Sequence, residues 1–90
     1  MVTAIIRTSN NIKMELQCAF ASPTYGNRFT LGMRTDKSFQ EVALLMEDVA
    51  EITVRDHLAE RTDIYAGPYR PMTINRDPDA DQYVIILEKT

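Results

Sequence analysis

Few residues of this sequence belong to the types that carry catalytic or redox chemistry. The chain has one cysteine, Cys18, and one histidine, His57, and its three glycines are scattered at positions 26, 32 and 67. Glycines so far apart do not build a loop that cradles phosphate. A single cysteine cannot form an internal disulfide, which fits a reducing compartment.

Neither Cys18 nor His57 has the surroundings that nucleophilic catalysis requires. Alternation of apolar and polar residues places Cys18 on the inward face of a strand, where a thiol is usually inert. His57 is predicted near the end of a helix, without the spacing of a zinc protease motif. We therefore expect no enzyme, no catalytic residues, no cofactor and no bound metal.

Long hydrophobic runs are also missing. The longest unbroken apolar run is Tyr83 to Leu87, far short of a membrane span, and the first seven residues do not have the pattern of a signal peptide. We expect a cytoplasmic protein without a membrane partner.

What is present is ordinary globular composition. The chain has 90 residues, of which 44% are hydrophobic and 26% charged. This length supports one core, so residues 1–90 are predicted to form a single compact domain.

Three strands and a helix are the clearest elements. Residues 12–20 alternate strictly between apolar and polar side chains, with Phe20 inward. Strands are also predicted over residues 2–8, which are rich in β-branched residues, and over residues 28–34, so that the three strands form a meander. Ser38 and Glu41 form a capping box. Apolar residues then recur at helical spacing from Phe39 to near Glu60, on the side of the helix expected to face the sheet. Residues 65–71 are predicted to be a rigid connector, followed by strands over 72–75 and 83–87. The predicted fold is α+β, with one long helix packed on one face of a four- to five-stranded, mostly antiparallel sheet in the order ββ(β)αββ.

Charge is distributed unevenly along the chain. The net charge is −3, made up of +3 over residues 1–35, −4 over residues 36–61 and −2 over residues 62–90. Strand alternation would place the cations of the first block on the open face of the sheet. This basic sheet face consists of Arg7, Lys13, Arg28 and Arg34.

The basic sheet face suits a nucleic acid backbone or an acidic protein surface, or it consists of ordinary solubilising charges. The sequence pI of about 5.0 and the lack of outward aromatic residues for base stacking argue against nucleic acid. Direct nucleic-acid binding is therefore the less favoured of these interpretations.

A second predicted surface is a stripe along the outer side of the long helix. It combines anions with two leucines that do not fit the apolar side, and we call it the helix stripe. Its members are Leu44, Glu47, Asp48, Glu51, Arg55 and Leu58. Two exposed leucines within a charged stripe suggest a partner surface, for a second copy of the chain or the basic face of another protein.

One loop has the carboxylate spacing of calcium-binding EF-hands. Asp77, Asp79 and Asp81, with Glu88 downstream, stand at positions one, three, five and twelve. Position six is Gln82 instead of glycine, and the predicted strand would carry Glu88 away. A solvated hairpin loop is the favoured interpretation.

Taken together, these patterns predict a non-enzymatic protein-binding module that acts as an inhibitor or adaptor by occluding a partner protein. A nucleic-acid-binding complex is one candidate partner. The most specific hypothesis is an anti-CRISPR-like inhibitor of a host defence complex, encoded by a mobile element. The alternatives are a nucleic-acid-binding domain that uses the basic sheet face, and a regulatory or accessory subunit of an enzyme complex. A homodimer is compatible with all three.

Overall fold

The structure, a computed structural model, describes residues 2–90 and is built mainly of strands. Within these residues, six strands and one short helix follow one another. Their bounds are β1 Val2–Thr8, β2 Lys13–Thr24, β3 Arg28–Arg34, α1 Phe39–Met46, β4 Val49–Asp56, β5 Arg61–Asp77 and β6 Gln82–Lys89. The predicted meander of the first three strands is confirmed, since β2 pairs with both β1 and β3.

The strands close into an antiparallel barrel in the order β1-β2-β3-β6-β5-β4. Pairing of β4 with β1, from Val2 opposite Asp56 to Thr8 opposite Val49, completes the ring. Each of the six strands is therefore bonded on both sides, whereas an open sheet exposes two edges. The predicted α+β fold, with one long helix on one face of a sheet, is wrong.

The helix begins where the sequence predicts and ends much earlier. The Ser38 hydroxyl accepts a hydrogen bond from the Glu41 backbone N–H at 3.3 Å, as expected for an N-cap. The predicted continuation to near Glu60 is wrong because residues 49–56 form β4. In β4, Val49 and Ile52 both point into the barrel, although they are three residues apart, because Ala50 is inserted as a bulge opposite β1. Because of this bulge, inward apolar residues of β4 are three positions apart, which is the spacing that predicted a helix.

A second bulge reverses the predicted orientation of Phe20. Cys18 pairs with Met33 and Phe20 with Gly32, so Ala19 is the extra residue on β2. Alternation is therefore interrupted after Cys18, and the side chain of Phe20 lies on the outside of the barrel, 39% exposed. The Phe20 ring covers Gly32, where a Cβ atom would lie only 2.5 Å from the ring.

The predicted connector over residues 65–71 lies inside β5. This 17-residue strand pairs with β4 through its first part and with β6 through its second, so it bends from one neighbour to the other. Gly67 lies at the change of partner, where a Cβ would come within 2.8 Å of the Ala50 carbonyl oxygen. The predicted strand over residues 72–75 is confirmed as part of β5.

The core fills the barrel, and α1 adds to it from one end. The inward residues of β6, Tyr83, Ile85 and Leu87, are buried, while its outward residues Val84 and Ile86 are half-buried. Val42 and Met46 of α1 are fully buried. None of the helical structure within residues 2–90 is long and apolar enough to cross a membrane.

Candidate functional site

The predicted helix stripe is divided among three elements. Leu44 lies on α1, with Glu47 and Asp48 directly after it, whereas Glu51 and Arg55 lie on β4 and Leu58 in the turn that follows β4. The strand β4 begins next to α1 and runs for about 23 Å before it reaches this turn. Leu44 and Leu58 are both exposed, at 69% and 89%, but they lie at opposite ends of the barrel. One face of one helix therefore does not join them.

The predicted basic sheet face is divided as well. Arg7 and Lys13 are direct neighbours in the β1–β2 ladder. Arg28 and Arg34 occupy the two ends of β3, about 20 Å apart. Because Arg28 pairs with Thr24, at the end of β2 away from Lys13, these two cations lie at opposite ends of that strand.

Nearby carboxylates further reduce the positive charge of these residues. The Arg7 Nε atom lies 3.7 Å from Glu51, and the Arg28 Nε atom lies 3.8 Å from Glu88. The four cations thus do not form one basic surface, and the argument for nucleic-acid binding through a basic face is lost. The hypothesis of an accessory subunit of an enzyme complex stays a prediction.

Cys18 and His57 do not lie on the same side of the barrel wall. Burial raises the pKa of the Cys18 thiol to about 11, so the thiol stays protonated and unreactive at neutral pH. His57 was predicted on the inner side of a helix and instead lies in the turn after β4. Its Nε2 atom is 3.0 Å from the hydroxyl of the buried Thr3 on β1. His57 therefore satisfies a buried hydroxyl.

The acidic loop between β5 and β6 is stabilised by its own contacts. The Asp77 carboxylate accepts a hydrogen bond from the Asp79 backbone N–H at 3.0 Å, and Asp81 accepts one from Arg76 at 3.4 Å. Glu88 lies at the other end of β6, beside Arg28. Over residues 2–90, no three histidine, cysteine, aspartate or glutamate side chains are grouped as a metal site would need.

A polar depression of about 450 Å³ lies between the end of β3 and the β5–β6 loop. Arg34 and Asp36 line one side and Arg76 and Asp81 the other. Arg76 also lies over the ring of Tyr83, 5.7 Å from its centroid. With two cations and two anions, the depression has no excess charge that would select a ligand of one sign.

The exposed face of α1 has a different character. It borders a shallow depression of about 470 Å³ lined by Phe39, Gln40, Ala43, Leu44 and Glu47. At about 100° per residue these five positions cover a continuous arc of about 140°, and the buried Val42 and Met46 lie outside this arc, next to Phe39. Phe39 is 52% exposed, although it was predicted to face the core. We call these five residues the α1 face.

The chain segment that contains the α1 face is acidic. Residues 36–48 carry a net charge of −3. Lys37 lies 4.0 Å from Glu41, and the Ser9 hydroxyl donates a hydrogen bond to Asp48. Glu47 borders the apolar depression directly. The α1 face is therefore mainly apolar, with the Glu47 carboxylate at its rim and a net negative charge in the surrounding chain segment.

No family model matches this chain, and comparison with curated proteins and with solved structures finds no match. The prediction of an inhibitor, and of an anti-CRISPR-like one in particular, has no support from any family or relative and is withdrawn.

Proposed function

We propose that this chain is a non-enzymatic protein-binding module that binds a basic partner protein through the α1 face. The observation that supports this is the composition of an eight-residue helix whose large apolar side chains lie on both sides. Val42 and Met46 are buried in the barrel, while Phe39 and Leu44 remain 52% and 69% exposed. Exposed apolar residues grouped within a depression are typical of protein interaction sites.

The rim of the α1 face defines the chemistry of the partner. Glu47 and the acidic surroundings of α1 would repel an acidic surface and attract a basic one. The partner would place apolar side chains against Phe39 and Leu44, and lysine or arginine near Glu47. Such an arrangement, with an apolar centre and a charged rim, is common in protein interfaces.

The expected affinity is modest because the anchor residues are few. Complete burial of one large apolar side chain stabilises a complex by about 1.5–3 kcal/mol, and Phe39 and Leu44 are already partly buried. Each would then contribute about 1–2 kcal/mol. Together these two contributions correspond to a dissociation constant no tighter than about 1 mM, so a tighter partner must make further contacts around this face.

The experiment is selection of short random peptides displayed on phage against the immobilised chain, followed by calorimetry of the enriched peptides. Enriched peptides should combine large apolar residues with lysine or arginine. The Leu44→Ala variant should bind them about tenfold more weakly, which corresponds to about 1.4 kcal/mol. The Glu47→Lys variant should bind more weakly and lose part of its dependence on salt.

The matched control is Leu58→Ala. Leu58 is also an exposed leucine, but it lies at the other end of the barrel, so its replacement should leave the affinity within about twofold of the wild type. Enrichment of acidic peptides, or equal binding by the wild type and the Leu44→Ala variant, would refute the proposal.

A further inference from the structure

One stretch of β5 is paired on one side only. This strand has 17 residues, and each of its two neighbours covers only part of it. Residues 61–66 pair with β4, whereas the pairing of β5 with β6 begins at Tyr69. Within residues 2–90, no strand pairs with the other side of residues 61–66, because the strands of a barrel are staggered against one another. We call this unpaired side the open edge of β5.

The open edge presents backbone groups that a sheet normally satisfies. In an antiparallel strand alternate residues direct their N–H and C=O groups to the same side, so about three of these six residues direct theirs away from β4. The stretch is not buried by the rest of the chain, since Arg61, Thr62, Ile64 and Ala66 are exposed. An extended segment of another molecule can therefore reach these groups and pair with them.

The side chain of Ile64 lacks a neighbour for the same reason. Ile5, Thr53 and Ile64 form one cross-strand row on the outer wall, over β1, β4 and β5. Ile5 and Thr53 have a strand on each side and are half-buried, whereas Ile64 ends the row at the open edge and is 64% exposed. A strand added beside β5 would place a side chain next to Ile64 and extend this row.

Two other strand segments are paired on one side only, and each contains a proline. Within residues 2–90, β2 pairs with β1 only as far as Cys18, so residues 20–24, which include Pro23, pair only with β3. In the same way residues 70–77 of β5, which include Pro71, pair only with β6. Proline has no N–H group to donate, so its presence in these two segments discourages the addition of a strand.

The open edge of β5 has no such protection. It contains no proline, and its one carboxylate, Asp63, is already paired with Arg61, with the Oδ2 and Nη2 atoms 3.0 Å apart. The edge therefore carries no net charge. On the inner side of the strand the half-buried ring of Tyr65 lies against Phe29, with the ring centroids 5.1 Å apart. An incoming strand would meet Ile64 on its outer face and Tyr65 on its inner face.

We propose that the open edge of β5 binds an extended segment of a partner protein by β-strand addition. The segment lies antiparallel to β5 and in line with β6, because Thr90 already continues this pairing with a hydrogen bond of 2.9 Å from its N–H to the Pro68 carbonyl oxygen. It carries a β-branched residue opposite Ile64 and no charge at its centre. Backbone hydrogen bonds supply the affinity, and the side chains beside Ile64 and Tyr65 supply the selectivity. The edge begins at the β4–β5 turn, at the end of the barrel opposite the α1 face, so this site is separate from that face.

Titration of the isotope-labelled chain with a capped peptide, followed by nuclear magnetic resonance, tests the proposal. The probe alternates valine and threonine over about five residues with a lysine at each end, and it is added up to about 5 mM. The amide signals of residues 61–66 should shift as the peptide binds. Those amides that face the open side should exchange with deuterium at least about tenfold more slowly in the complex, because they become hydrogen-bonded.

Two methylated forms of the probe test for backbone pairing. One form carries N-methyl groups on its valines and the other on its threonines, so each form lacks the N–H groups along one edge of the peptide strand. One form should bind within about threefold of the probe and the other at least about tenfold more weakly, because only one edge of the peptide pairs with β5. Contact between apolar side chains alone would not distinguish the two forms.

A variant of the chain tests the side-chain contact. Ile64→Ala should weaken binding of the probe about tenfold, because the valine beside it loses its cross-strand neighbour. The matched control is Ile12→Ala. Ile12 is also an exposed isoleucine, at 58%, but it lies in the β1–β2 turn at the other end of the barrel, so its replacement should leave the affinity within about twofold of the wild type.

Unchanged signals of residues 61–66 up to about 5 mM peptide, or equal binding of the two methylated forms, would overturn the proposal. Shifts confined to the α1 face would also contradict it, since the probe would then bind only there. If the signals of residues 61–66 shift with protein concentration in the absence of peptide, the edge binds a second copy of the chain and not a partner segment. The Leu44→Ala variant should bind this probe as the wild type does, so the outcome is independent of peptide binding at the α1 face.

Discussion

The contact between Phe20 and Gly32 leads to a prediction in which one substitution has opposite effects in two backgrounds. A Cβ atom at Gly32 would lie 2.5 Å from Cε1, 2.8 Å from Cζ and 3.0 Å from Cδ1 of the Phe20 ring. These distances are too short for carbon atoms in contact. Because the ring is 39% exposed, it can move outward, so Gly32→Ala displaces the ring without disrupting the backbone.

The magnitude follows from the burial of Phe20. A phenylalanine that is completely buried contributes up to about 3 kcal/mol, so the roughly three-fifths that Phe20 buries corresponds to about 2 kcal/mol. Replacement of a strand glycine by alanine increases the free energy of unfolding by about 0.5–1 kcal/mol, because glycine loses more backbone entropy on folding than alanine does. Gly32→Ala should therefore destabilise the wild type by about 1 kcal/mol. In the Phe20→Ala background it should stabilise the chain by about 0.5–1 kcal/mol.

The assay is a double-mutant cycle measured by urea unfolding. The expected coupling between the two positions is about 2 kcal/mol. The matched control is Gly67→Ala, because the atom that a Cβ would meet there is the Ala50 carbonyl oxygen, 2.8 Å away, which is backbone and cannot move aside. Gly67→Ala should be equally destabilising in both backgrounds. If Gly32→Ala lowers stability by the same amount with and without Phe20, the proposed contact does not exist.

Two further predictions concern Cys18 and Ser38. Burial raises the pKa of the Cys18 thiol from 9.0 to about 11, so the unfolded chain loses this proton at a lower pH than the folded chain. The free energy of unfolding should therefore fall between about pH 9 and pH 11, by at most about 3 kcal/mol. Urea unfolding across this pH range should show a weaker slope for Cys18→Ala, and identical slopes would contradict the assignment. Ser38→Ala removes the N-cap of α1 and should destabilise the chain by about 1 kcal/mol and weaken peptide binding at the α1 face. A calorimetric titration that shows unchanged affinity would mean that α1 does not need its cap to present Leu44.

Local signals in the sequence identified several elements correctly. The β-branched composition of residues 2–8 predicted β1, alternation predicted the first part of β2 and β3, and the Ser38 cap predicted the start of α1. Two of the errors arose at alanines, Ala19 and Ala50, where an inserted residue shifts the alternation. An alanine that forms a bulge looks like any other alanine in the sequence, because the bulge depends on how the neighbouring strands pair.

The candidate surfaces were also predicted only in part. The exposure of Leu44 and the acidic character of its surroundings were predicted, since a leucine among charges breaks the apolar pattern. Phe39 was assigned to the core because its position matches the apolar side of a long helix. A helix of eight residues at the end of a barrel buries fewer positions than a helix laid along a sheet, so Phe39 remains outside.

The sequence by itself determined the local properties of this chain: which segments alternate and where α1 begins. Tertiary structure alone decided that β4 returns to pair with β1 and closes the ring. Strand closure joins residues about fifty positions apart, and alternation is the same in an open sheet and in a barrel. The residues of the predicted basic sheet face and helix stripe do not lie together, because the outward side chains of a closed barrel point in all directions around its axis.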